Sequence, residues 1–286
     1  MRLTSLVAAL AVAACVAPPP ASEPAVPPVH AVASVPPLAW LVDRVGGERV
    51  ETAVLIPPGA SPHAFEPSPR QVAAATGADL LVVVGDPDFA FEARLVERLE
   101  ADRRRALVVE LVAAAEVTAD GSLDPHLWLV PRHLENAAAA IADALADIDP
   151  EAEGLYRANL ARLDGELEAL DDELRRELGA LAGSSFYVEH PAWGHLAAEY
   201  GLTQVALEEE GKEPGAARLV ESIDAARRDG VTTVLVQRGL AARAGRTLAD
   251  EIGAEVVEVD PLAYDVAANL RRMTAVLRQA VGGRGE

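Results

Sequence analysis

Short apolar runs alternate along the chain with stretches whose apolar positions recur every three or four residues. Four runs, Ala31–Val35, Val50–Leu55, Leu80–Val84 and Ala106–Glu110, fall in the first half, and four more, Ser185–Glu189, Gln204–Leu207, Thr233–Val236 and Glu255–Val259, in the second. Runs of this length read as strands, and strands separated by helical segments pair in parallel with helices laid over the sheet. The pattern predicts an α/β fold of two similar lobes, each a parallel sheet flanked by helices.

Between the two sets lies the most periodic segment, Asp149–Leu181, where Leu160, Leu163, Leu167, Leu170, Leu174, Leu178 and Leu181 share one helical face and Glu and Arg fill the other. No proline interrupts it after Pro150, and about 30 residues at ~1.5 Å each make a rod of roughly 45 Å. A coiled-coil oligomerisation helix would show the same period. An equal α/β pattern on either side favours a rigid helix joining two lobes, which divides the folded body into residues 29–149, 150–181 and 182–286.

Composition narrows the function. The 286 residues are half apolar, enough for a sizeable core. With 25 basic against 45 acidic side chains the net charge is -20, which repels phosphate backbones and argues against nucleic acid as a partner. A single cysteine rules out an intramolecular disulfide or a thiolate cluster, so any metal site must use His, Asp or Glu. That cysteine ends an apolar stretch: Met1 and Arg2 are followed by Leu3–Ala14, and Val12-Ala13-Ala14-Cys15 resembles a lipoprotein cleavage box. The stretch is too short to span a bilayer. Residues 1–15 are thus expected to be a signal peptide with its lipobox, and the Ala/Pro-rich residues 16–28 a tether between an acylated Cys15 and an extracytoplasmic body.

Candidate chemistry follows the strand ends. His63, His126, His190 and Asp260 all lie downstream of predicted strands, where open α/β sheets bind ligands. Three imidazoles and a carboxylate suit Zn²⁺. Proline stiffens three of these places, in Pro57-Pro58-Gly59-Ala60-Ser61-Pro62-His63, Asp124-Pro125-His126 and His190-Pro191. Neighbouring strand residues point oppositely, so Glu189 and His190 should not reach one ion together, and Glu189 is read as structural.

At these residues the chain resembles the zinc- and manganese-binding solute-binding proteins of bacterial ABC importers. The resemblance is carried in order by Ser34-Val35-Pro36-Pro37-Leu38, Gly59-Ala60-Ser61-Pro62-His63 with Phe65-Glu66-Pro67, Asp124-Pro125-His126-Leu127-Trp128-Leu129, His190-Pro191-Ala192-Trp193-Gly194 and Val259-Asp260-Pro261-Leu262. It implies two lobes joined by a long helix, metal ligands at His63, His126, His190 and Asp260, and Zn²⁺ as cargo with Mn²⁺ or Fe²⁺ as the alternative. It further implies a membrane permease with its cytoplasmic ATPase as partner, a monomer, and no enzymatic activity. The chain departs from that family in two places. Val117–Leu123 lacks the histidine-rich loop of many zinc-selective members, and His195 stands where an aromatic residue is usual. His195 falls on a different helical face from His190, which argues against a fifth ligand; His30 and His133 lack ligand-like surroundings, and Glu208–Glu210 read as a solvated acidic loop that could draw cations. Two other classes compete: a zinc hydrolase, for which no H-E-x-x-H or G-x-S-x-G motif is present, and an adhesin in which metal only stabilises the fold.

Overall fold

The structure, a computed structural model, describes residues 27–87, 89–101, 106–111, 124–208 and 212–282. The leader with Cys15, the tether up to residue 26, the segment Val117–Leu123, Glu209 and Glu210 lie outside the described residues. Among the described residues no helix is long and apolar enough to cross a membrane.

All eight expected strands are present, with no end moved by more than two residues. Strands β1 (Val29–Ala33), β2 (Val50–Val54), β3 (Leu80–Val83) and β4 (Leu107–Glu110) form one parallel sheet in the order β2-β1-β3-β4. Strands β5 (Ser185–Val188), β6 (Thr203–Ala206), β7 (Thr233–Gln237) and β8 (Glu255–Val259) form a second in the equivalent order β6-β5-β7-β8. The inner strands β3 and β7 are buried along their whole length, as near-continuous apolar runs require when helices cover both faces. Helices α1 (Pro36–Gly46), α2 (Pro69–Gly77) and α3 (Ala90–Ala101) attend the first sheet. Proline supplies the opening residue of α1 and α2, and Ser68 with Gln71 closes a capping box on α2.

The periodic segment begins at a break after the preceding helix and continues as one long helix. Helix α4 (Pro131–Ile148) ends at Asp149, a 3-10 turn covers Pro150–Ala152, and α5 runs from Glu153 to Gly179. Asp149 fixes the break by accepting from Arg49 Nε and Nη2 at 3.0 and 2.6 Å and from the Tyr156 hydroxyl at 3.0 Å. The leucine face is buried from Leu163 to Leu178. It packs against α1 and α4 on the first lobe and against α9 (Val266–Gly282) on the second. One continuous apolar core therefore runs from the first sheet through α5 to α9, while α7 (Ala216–Arg228) and α8 (Arg243–Ile252) cover the far face of the second sheet with a smaller core. A shared core makes α5 a stiff spine, and the strand ends of both sheets are left to carry the chemistry.

Candidate metal centre

His63 sits in a 3-10 turn, Pro62–Ala64, that follows β2, with Pro62 buried beneath it. The rigid turn at Pro57–Gly59 brings it there: Ala60 N donates to Pro57 O, and Gly59 takes φ +80°, a conformation cheap only for glycine. Its ring stands edge-on to the buried Phe89 at 5.1 Å between centroids.

His126 precedes the 3-10 turn Leu127–Leu129, whose three side chains are buried. Asp124 folds back on it, accepting from His126 N at 3.0 Å and from Nδ1 at 2.7 Å, the self-closing turn that an aspartate two residues upstream can make. His190 leaves the end of β5 and places Nδ1 2.9 Å from Glu208 Oε2. Glu208 emerges from β6, the neighbour of β5, and its own N donates to Glu189 O.

The three histidines meet. One donor atom from each lies within 4.8 Å of the other two, with His63 and His126 reaching from the first sheet and His190 from the second. Nε2 of His126 and Nε2 of His190 are 3.4 Å apart. Ionised carboxylates only accept, so Asp124 and Glu208 each take the Nδ1–H of their ring and leave both Nε2 atoms turned toward each other. Two bare lone pairs at that distance repel unless a cation stands between them. Two nitrogens bound at ~2.05 Å to a tetrahedral ion are themselves about 3.3 Å apart, close to what is found here.

The charge states agree. Burial pushes the His126 pKa down, and the Asp124 carboxylate only partly opposes it, so the ring is held neutral and ligand-competent. Burial works against the Asp124 charge, but the hydrogen bonds from His126 and the neighbouring His126 and His195 imidazoles outweigh it and hold the carboxyl below its ordinary range.

The other candidates sort themselves by position. Asp260 follows β8, two strands from β5, a lateral offset of ~9.5 Å, and it stands outside the three-histidine group. Its Oδ1 accepts from Leu262 N and its carbonyl from Asn269 Nδ2. Glu189 points away from His190, into the N-terminus of α8: it is 3% exposed, and burial, then the charge of Glu208, push its pKa up while Gly245 and Ala244 N–H groups pull the other way. The expectation for Glu208 needs correction. It is not solvated; its side chain is 14% exposed and engaged with His190, because the parallel pairing of β6 beside β5 delivers it there. Strand order is invisible in the sequence, so no local signal marked it, whereas Asp124 could have been found from its D-x-H spacing. His195 donates from Nε2 to Asp124 O at 2.8 Å and is no member of the metal group. His133 is buried on α4 with its ring 5.8 Å from His195, and His30 lies on β1 beside Glu51 at the surface.

Comparison with known proteins places this geometry. The sequence matches the family described as zinc-uptake complex component A, periplasmic, over residues 31–280. The high-affinity zinc uptake system protein ZnuA of Paracoccus denitrificans is 28% identical over 257 residues, covering 77% of this chain and 77% of that protein. The zinc-binding lipoprotein AdcA of Streptococcus pneumoniae is 26% identical over 242 residues, covering 79% of this chain and 48% of AdcA, so the chain spans about half the length of that relative. A crystal structure of ZnuA superposes with a TM-score of 0.82 at 34% identity, covering 88% of this chain and 99% of that one. The match extends over both sheets and the helix between them, and the chain belongs to the family of the periplasmic zinc-uptake complex component A.

Proposed function

We propose that this protein captures one divalent transition-metal ion, Zn²⁺, between its two lobes and delivers it to the membrane permease of an ABC importer served by a cytoplasmic ATPase. The observation that carries the reading is the approach of His126 Nε2 and His190 Nε2 to 3.4 Å, with His63 beside them. The relatives named for zinc uptake and zinc binding support the choice of ion. Three imidazoles favour zinc over manganese, which takes more oxygen ligands. Asp260, at the end of β8 in the same sheet as His190, supplies the fourth ligand when its side chain turns to the bound ion, and its charge then offsets that of the ion. The three histidines of one chain suffice to begin capture, which fits a monomer with the body divided at residues 29–149, 150–181 and 182–286. Cys15 anchors that body outside the cytoplasm through a lipid, in keeping with the name of the streptococcal lipoprotein relative. The bound ion is cargo, and no substrate is turned over.

Competitive titration of metal-stripped protein against a chromophoric chelator tests the reading. Zinc should bind more tightly than manganese, and His126→Ala should lose most of the zinc affinity. Equal zinc binding by wild type and His126→Ala would sink it.

A further inference from the structure

The turn that carries His126 belongs by sequence to the first lobe, yet its polar contacts reach the second. His195 Nε2 lies 2.8 Å from Asp124 O, and a carbonyl can only accept, so His195 is the donor. The Asp124 carboxylate in turn holds His126 at both N and Nδ1. Trp128, two residues on, donates Nε1 to Pro261 O at 2.7 Å in a buried bond. Gly194 leaves the carboxylate its room, since a Cβ there would stand 2.8 Å from Asp124 Oδ2.

We propose that His195 is a positioning residue for metal capture: acting through Asp124, it fastens His126 to the second lobe. His126 and His190 then form a preset pair on one body, and His63 closes on the ion from the other. The inference rests on the metal-binding reading above. Its physical basis is preorganisation: a ligand ring already held in its bound orientation loses little freedom when the ion arrives, and a loosened one gives back affinity. His195 is suited to this because its ring is largely buried, 13% exposed, and starts from α6 (Gly194–Glu199), the short helix that follows His190.

The test is a double-mutant cycle on the full chain, read as zinc affinity and zinc dissociation rate. His195→Phe keeps the ring volume and removes the donor; it should weaken zinc binding about 10-fold or more, mainly through faster release, and His195→Gln, which retains a donor, should restore much of the loss. In a His126→Ala background His195→Phe should change the affinity no further, because the ligand it positions is gone. Wild-type affinity in His195→Phe, or equal losses in both backgrounds, overturns the proposal while leaving the metal site standing. Wild-type affinity in His126→Ala alone overturns the metal-binding reading itself. If His195→Phe does not fold, long-range proton–nitrogen NMR of the wild type decides: a His195 Nε2–H with protected exchange is expected in apo and zinc-loaded protein, and an Nδ1–H tautomer overturns the proposal.

Discussion

Gly59 and Gly239 meet backbone to backbone across the two lobes. Both take positive φ, +80° and +82°, and a Cβ built on Gly239 would stand 2.8 Å from Gly59 Cα. Gly59 opens the rigid loop that ends at His63, and Gly239 follows β7, so this contact is where the His63 loop touches the second sheet. Gly239→Ala should therefore act twice: the left-handed conformation costs an alanine ~1 kcal/mol or more, and the methyl pushes the His63 loop outward. Zinc affinity should fall while the His126–His190 pair is untouched, which titration of the variant alongside His63→Ala would show as a shared, non-additive loss.

Glu208 stands behind His190 as Asp124 stands behind His126. Glu208→Gln keeps an acceptor for Nδ1 but removes the charge, and Glu208→Ala removes both. Outer partners of metal-bound histidines are worth about 10- to 100-fold in affinity, so the glutamine variant should sit near the low end of that range and the alanine variant near the high end. Competitive zinc titration of the two variants checks the order; identical affinities would show that the 2.9 Å contact does not orient the ring.

Asp260 gives a graded expectation. Because it lies outside the histidine group in this structure, Asp260→Ala should weaken zinc and manganese together and by less than His126→Ala does, since its carboxylate is not part of the preformed histidine group. X-ray absorption of the zinc-loaded variant should then show an oxygen ligand lost with all three nitrogens retained. An unchanged first shell would assign the fourth position to solvent.

His133 makes an acid-sensitivity prediction. Burial first, then Arg132 and His195, push its pKa down from 6.5 to about 4, with Glu199 working the other way. Between those values the unfolded chain holds a proton that the folded chain refuses, so stability rises with pH through the window and is lost as pH falls from 6.5 toward 4. Allowing for screening, the loss should be about 1–2 kcal/mol. Denaturant unfolding of the apo protein at pH 7 and pH 5 should show it, and His133→Leu should flatten the difference.

Anchoring is separable from binding. Cys15→Ser should release the protein from membrane fractions without altering zinc affinity, because the tether lies far along the chain from every histidine of the centre. Retention of the variant in the membrane would remove the lipid anchor from the account.

Most of the architecture was legible in the chain because it depends on local periodicity. The eight strands show as short apolar runs, and α5 as leucines every three or four residues. The proline-stiffened turns marked His63 and His126 as candidates, because a fixed φ is a property of a few consecutive residues. Other features depend on which strands are neighbours. The sequence alone cannot say that β6 lies beside β5 and β8 two places away, yet that order brings Glu208 to His190 and leaves Asp260 outside the group. It also cannot reveal that the Asp124–Leu129 turn, encoded with the first lobe, is held by His195 and Pro261 of the second. Periodicity along the chain thus determined the elements, and positions just after the predicted strands picked out the candidate donors. Hydrogen bonds between residues 18 to 133 positions apart, which exist only once both sheets are packed on the same spine, decided how those donors face one another.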